Sequence, residues 1–276
     1  MCTFKNLAII GMLCLSGCNS SSDTQDATKP TEAARYEGMS VKELGVDPTS
    51  FIEGNLYFLA YHEVGHALIS EFDIPVVGRE EDAVDQLATW IMAPADKDEP
   101  ADYLIGAIKG WFTFADATPL SAIQWWDEHG TDRQRGYQIA CLLYGSNPER
   151  FKATADAIDL PDQRRETCEA DSSLNQSAWA RLLADHAHPV GEDGAKENVS
   201  VRYEPTNDYA DDQRYLKELH LLEDVAELMA TGYKLQPGIV VKAEECGVAN
   251  SFWQSDNRTI IICYELVDEY RRLAET

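Results

Sequence analysis

Two imidazoles one helical turn apart, with a carboxylate beside the first, are the most chemically pointed feature of this chain. They stand in Tyr61-His62-Glu63-Val64-Gly65-His66-Ala67-Leu68-Ile69, an H-E-x-x-H pattern. Residues i and i+4 share a helix face, so His62 and His66 can aim at one ion. Imidazole nitrogens suit Zn2+, which in catalytic sites takes three protein ligands and keeps one position open. Glu63 is placed to take a proton from water activated by that ion. The expected chemistry is zinc-assisted hydrolysis of an amide or ester. His62 and His66 are then metal ligands and Glu63 is the general base.

A third ligand has to come from another element. The next predicted helix opens with Glu80-Glu81-Asp82-Ala83-Val84-Asp85, in which Glu81 and Asp85 lie four apart and share a face. On residue type alone Glu80, Glu81, Asp82 and Asp85 are all candidates. Further along, in Trp125-Trp126-Asp127-Glu128-His129-Gly130, His129 falls between two predicted helices. His129 is the expected catalytic partner that steadies a developing oxyanion, with Arg133, Arg135 and Tyr137 as alternatives. His186, His188 and His220 read as loop or helix-surface residues without a role.

These groups need a scaffold. Phe51, Leu56, Leu59, Ala60, Val64, Ala67 and Leu68 recur as a helix would require over 50–70. Pro48-Thr49-Ser50 supplies a start and Asp73-Ile74-Pro75 a stop. Helices are also predicted over 80–92, 101–115, 119–128, 132–144, 148–158 and 174–186. After a Pro- and Gly-containing loop at 189–197 the pattern changes. A strand is expected at 199–203, a long helix at 207–232 and a β-branched strand at 238–243. Strands at 250–253 and 259–262 flank a polar turn with Asp256-Asn257 and read as a hairpin. Residues 264–275 close as a helix. The expected class is α+β: a mostly helical domain over 46–276, with a small antiparallel sheet or hairpin in its C-terminal third.

The first residues read as targeting sequence rather than fold. Lys5 precedes an apolar run from Leu7 to Leu15, too short to span a bilayer. Leu15-Ser16-Gly17-Cys18 resembles the bacterial lipobox. That implies a signal peptide over 1–17, lipidation of Cys18, and a Ser-, Thr- and Asp-rich tether over 18–45. Asn19 after the cysteine implies the periplasmic face of the outer membrane in a Gram-negative source. The partners expected are therefore a membrane, through the lipid, and a peptide or protein substrate. Four cysteines remain for the domain: Cys141, Cys168, Cys246 and Cys263. Three connectivities are possible, and the expectation is the near-neighbour one, Cys141 with Cys168 and Cys246 with Cys263.

With 48 acidic against 23 basic residues the net charge is −25. Nucleic acid is excluded as a partner, because phosphate backbones are bound by Lys and Arg. A polybasic contact with anionic lipid is excluded likewise.

Glu81-x-x-x-Asp85 after H-E-x-x-H resembles the gluzincin clan, the thermolysin-like peptidases of the zincin fold. The resemblance implies that Glu81 is the third zinc ligand and that Asp85 orients His62 from behind. Glu81 follows His66 by 15 residues, a shorter interval than in thermolysin. Asn250-Ser251-Phe252-Trp253 resembles the Asn-Ala-x-aromatic edge strand of the same clan, which implies that Asn250, Ser251 and Phe252 bind substrate backbone. In gluzincins that strand precedes the H-E-x-x-H helix; here it follows it. As a whole, the stretches 53–69, 78–88, 126–145 and 246–266 resemble a bacterial zinc metallopeptidase family that is otherwise a domain of unknown function. The resemblance implies a peptidase-like site. A zinc hydrolase of another amide, such as a cell-wall amidase, and a non-catalytic zinc-binding lipoprotein are the competing readings.

Overall fold

The computed structural model describes residues 46–93, 101–189, 194 and 196–275. These fall within one contact unit, Tyr36–Thr276. The predicted signal segment, Cys18 and the tether at 18–45 lie outside the described residues. Among the described residues no helix is long and apolar enough to cross a membrane.

Helix α1 (Pro48–Phe72) carries the H-E-x-x-H residues and is buried along most of its length. Asp47 caps it by accepting from the Ser50 amide at 3.1 Å. The helix is apolar nearly all round, which marks a helix enclosed on every side. One side joins a core built with the C-terminal sheet and helices, through Leu56, Ala60, Val64 and Leu68. Phe58 faces a second core, made mainly by helices α3 (Asp102–Ala117), α4 (Asp132–Ser146) and α5 (Pro148–Ala157). Helix α2 (Glu80–Met92) packs across α1 at Gly65, where an added Cβ would meet the Val84 side chain at 2.7 Å. The missing side chain lets α2 approach closely beside the two histidines.

Two of the predicted helices are corrected. The 119–128 segment holds one short 3-10 turn at Leu120–Ala122 and is otherwise irregular. Leu120, Trp125 and Trp126 are exposed, so no apolar face is buried to hold a helix there. The helix expected at 207–232 is broken into α7 (Ala210–Leu219) and α8 (Leu221–Gly232) by His220, which adopts a left-handed φ of 61°. The helix expected at 174–186 begins earlier, as α6 (Asp162–Leu183).

The C-terminal third carries four strands: β1 (Val199–Tyr203), β2 (Ile239–Glu244), β3 (Ser251–Gln254) and β4 (Thr259–Cys263), in the order β1-β2-β4-β3. The β3–β4 hairpin is antiparallel as expected, whereas β1–β2 and β2–β4 pair in parallel, so the sheet is mixed. β4 is buried along its whole length, as its run of three isoleucines requires. β3 is left at one edge. Helix α9 (Tyr264–Ala274) follows β4 directly and packs against α1. The α+β class is as read from the sequence. Both expected disulfides are present, Cys141–Cys168 joining α4 to α6 and Cys246–Cys263 closing the segment that carries β3.

Candidate metal centre

Burying His62 and Glu63 inside an apolar helix is unfavourable unless something satisfies them. The surrounding elements do so. His62 Nε2 lies 3.1 Å from Glu81 Oε2 on α2, and His66 Nε2 lies 3.4 Å from the same oxygen. The two Nε2 atoms are 3.2 Å apart. His129, on the irregular segment before α4, brings its Nε2 to 2.9 Å from Glu81 Oε2. Glu81, and not Glu80, Asp82 or Asp85, is therefore the carboxylate that meets both histidines.

Each histidine is held from behind by a carboxylate. Asp85 Oδ1 is 2.8 Å from His62 Nδ1, Glu80 Oε1 is 2.8 Å from His66 Nδ1, and Asp127 Oδ1 is 3.0 Å from His129 Nδ1. Asp127 also accepts from the His129 backbone amide at 2.9 Å. For His62 and His66 a carboxylate on Nδ1 holds the proton there and leaves the Nε2 lone pair pointing inward. Sequence reasoning placed Asp85 but missed Glu80 and Asp127 in this role. The Asp-x-His spacing, which brings a side-chain oxygen back to an amide two residues on, was the available signal for Asp127.

This arrangement passes a test for a bound cation. Glu81 Oε2 is buried and, among the described residues, finds no partner in hydrogen-bond geometry, although three imidazole nitrogens surround it. Lone pairs facing lone pairs in a buried space call for a positive charge between them. Donors about 2.0 Å from a tetrahedral ion stand about 3.3 Å from one another. The three separations among His62, His66 and Glu81 match that figure.

Without an ion, protons supply the charge. Burial opposes the charged form of His66, but the carboxylates of Glu81 and Glu80 outweigh it and raise its pKa to about 9. Burial alone would lift Glu81, yet His129, His62 and His66 hold it far below the usual carboxylate range. Contact with Glu81 also raises His129. A histidine raised above its ordinary 6.5 stabilises the fold fully below that pH, and the contribution is lost as pH climbs through about 9. Cation binding has the opposite dependence, because it needs neutral imidazoles. The melting temperature of chelator-treated protein is therefore expected to fall between pH 6.5 and 9 while metal affinity rises over the same range. Flat profiles for both would mean that the histidines do not cluster in solution.

Behind His62 the support continues. Arg135 donates twice to Asp85, Nε to Oδ2 and Nη2 to Oδ1, each at 2.7 Å. Its guanidinium lies 3.7 Å from the centre of the Trp111 ring. Burial disfavours the Asp85 charge, but Arg135 and His62 more than offset it and bring its pKa down to about 2. Arg135 is thus committed to the support of His62 and is not free to meet an oxyanion.

The donors open onto a cavity of about 910 Å3, large enough for several residues of a peptide. Asn250 and the first residues of β3, Ser251 and Phe252, all line it. The Ser251 side chain, however, turns to the helix and donates to Glu63 Oε1 at 2.8 Å. The irregular 123–131 segment with His129 lines the same cavity.

No curated protein and no solved structure matches the chain. A family model with the description "Putative metallopeptidase" matches residues 20–183 and 203–276. The match covers most of the chain and takes in His62, Glu63, His66, Glu81, His129 and β3, and the chain belongs to this family.

Proposed function

We propose that this protein is a zinc-dependent peptidase of the cell envelope, held at a membrane by a lipid on Cys18. The observation that carries the catalytic part is the buried Glu81 oxygen with no partner in hydrogen-bond geometry among the described residues, facing the inward nitrogens of His62 and His66 beside Glu63. Two histidines and one glutamate suit Zn2+ and leave a position open. Zinc held there would supply Lewis acidity, polarising a scissile carbonyl and making water acidic near neutral pH.

The chain's own groups do the rest. Glu63 accepts the proton of the attacking water and passes it to the leaving amine. His129, oriented by Asp127 and with its Nε2 beside Glu81, is the group that would neutralise negative charge on the former carbonyl oxygen. The outer edge of β3 offers main-chain hydrogen bonds to an extended peptide, which favours peptides broadly rather than one sequence.

The test is metal content followed by substrate. Purified protein is expected to hold one zinc ion, lost in His62→Ala and at least tenfold weaker in Glu81→Ala. It should cleave unfolded proteins or peptides. Activity on peptidoglycan fragments alone would replace the peptidase reading with a cell-wall amidase. A parent that takes up no zinc would defeat both.

A further inference from the structure

The general base is held in place from the far end of the chain. Glu63 is 6% exposed and Ser251 is 4% exposed, yet they come from α1 and β3. Ser251 Oγ donates to Glu63 Oε1 at 2.8 Å. A hydrogen bond to an ionised carboxylate is among the stronger kinds, and a buried one sets the rotation of the group it holds. It occupies one carboxylate oxygen. Among the described residues no hydrogen bond to the other oxygen is seen, which leaves Oε2 for a proton in transit.

The donor is itself fixed. Ser251 opens β3 and pairs with Ile262 on the fully buried β4. One residue before it, the Asn250 carbonyl accepts from the Cys263 amide at 3.1 Å, beside the Cys246–Cys263 disulfide. The hydroxyl therefore cannot follow Glu63 if that side chain swings. Ser251 also lies on the edge strand, whose residues line the cleft. We infer that Ser251 is a positioning residue for the hydrolytic step: its hydroxyl locks Glu63 in the attacking orientation and ties that orientation to the substrate-facing strand. This rests on the peptidase reading.

The decisive comparison is Ser251→Thr against Ser251→Val in the full protein. The two side chains have the same shape and suit a strand equally, but only Thr keeps the hydroxyl. Val is expected to lower kcat about 10- to 100-fold with KM within about twofold, since misplacing a reacting group costs rate rather than ground-state binding. Thr should recover most of that loss, and both variants should hold one metal ion per chain. A second readout needs no activity. In chelator-treated protein, Ser251→Ala and Glu63→Ala should be non-additive: the double variant should melt about 2–6 °C above the sum of the single shifts. Equal turnover for Thr and Val, a loss confined to KM, or additive melting shifts would overturn the inference. A parent with zinc but no turnover on any substrate would instead fail the reading on which it rests.

Discussion

Glu63→Gln is expected to keep one metal ion per chain and to lose about 10^3- to 10^4-fold in kcat. Gln has nearly the same shape and can still accept from the Ser251 hydroxyl, so the cleft keeps its form. What it cannot do is take a proton. His62, His66 and Glu81 are untouched by the change, and metal analysis should return the parent stoichiometry. Steady-state turnover measured beside metal content separates the two effects. Normal turnover in this variant would show that another group accepts the proton. Loss of metal would show that Glu63 belongs to the donor set.

The second large effect lies one layer further out. Arg135→Leu should destabilise the protein by about 3–5 kcal/mol, because it strands the buried Asp85 carboxylate beside a single imidazole. For a chain of this size that is a fall of roughly 10 °C or more in melting temperature. Zinc affinity should weaken about 10- to 100-fold as His62 loses its fixed orientation. Arg135→Lys should recover only part of the loss. Lysine keeps the charge but neither the two parallel hydrogen bonds to Asp85 nor the flat contact with Trp111. Melting curves and metal titrations of the two variants check this. A Leu variant that melts within a degree of the parent would mean that Asp85 discharges its cost another way.

Much of this architecture was legible in the sequence where apolar periodicity was strong. α2 and β2 are patterned clearly enough to declare their period, while α1 and β4 declare themselves by dense apolar runs between clear start and stop signals. The first half of α6 was not legible, for an identifiable reason. Its buried stripe is Cys168, Ser172, Asn175, Trp179 and Leu183, a helical spacing written largely in small and polar residues. Asn175 pays its way in that stripe by donating to Gln86 on α2 at 2.6 Å. The break at His220 was hidden because neither Gly nor Pro marks it. The helix expected at 119–128 did not form because that segment, with Trp125 and Trp126 exposed, buries no apolar face; it delivers His129 to Glu81 instead.

At the site, residue spacing pointed to His62, Glu63 and His66, and the resemblance to gluzincins pointed to Glu81 and Asp85. Spacing within one helix is local and survives in sequence. The link from Ser251 to Glu63 spans the whole domain, and no one-dimensional pattern encodes it.

That span has a consequence for the timing of biosynthesis. The two ends of the Ser251–Glu63 hydrogen bond are 188 residues apart in the chain. A growing chain emerges N-terminus first, so the H-E-x-x-H helix appears long before β3 and α9 exist. Contacts of such high sequence separation form late, after the local helices. For much of synthesis the nascent protein therefore carries the H-E-x-x-H residues without the strand that supplies the Ser251 hydroxyl. On the peptidase reading, Glu63 is steadied only once Ser251 has been made and β3 has paired with β4, so the order of synthesis delays the working arrangement of the base until long after the H-E-x-x-H helix has formed.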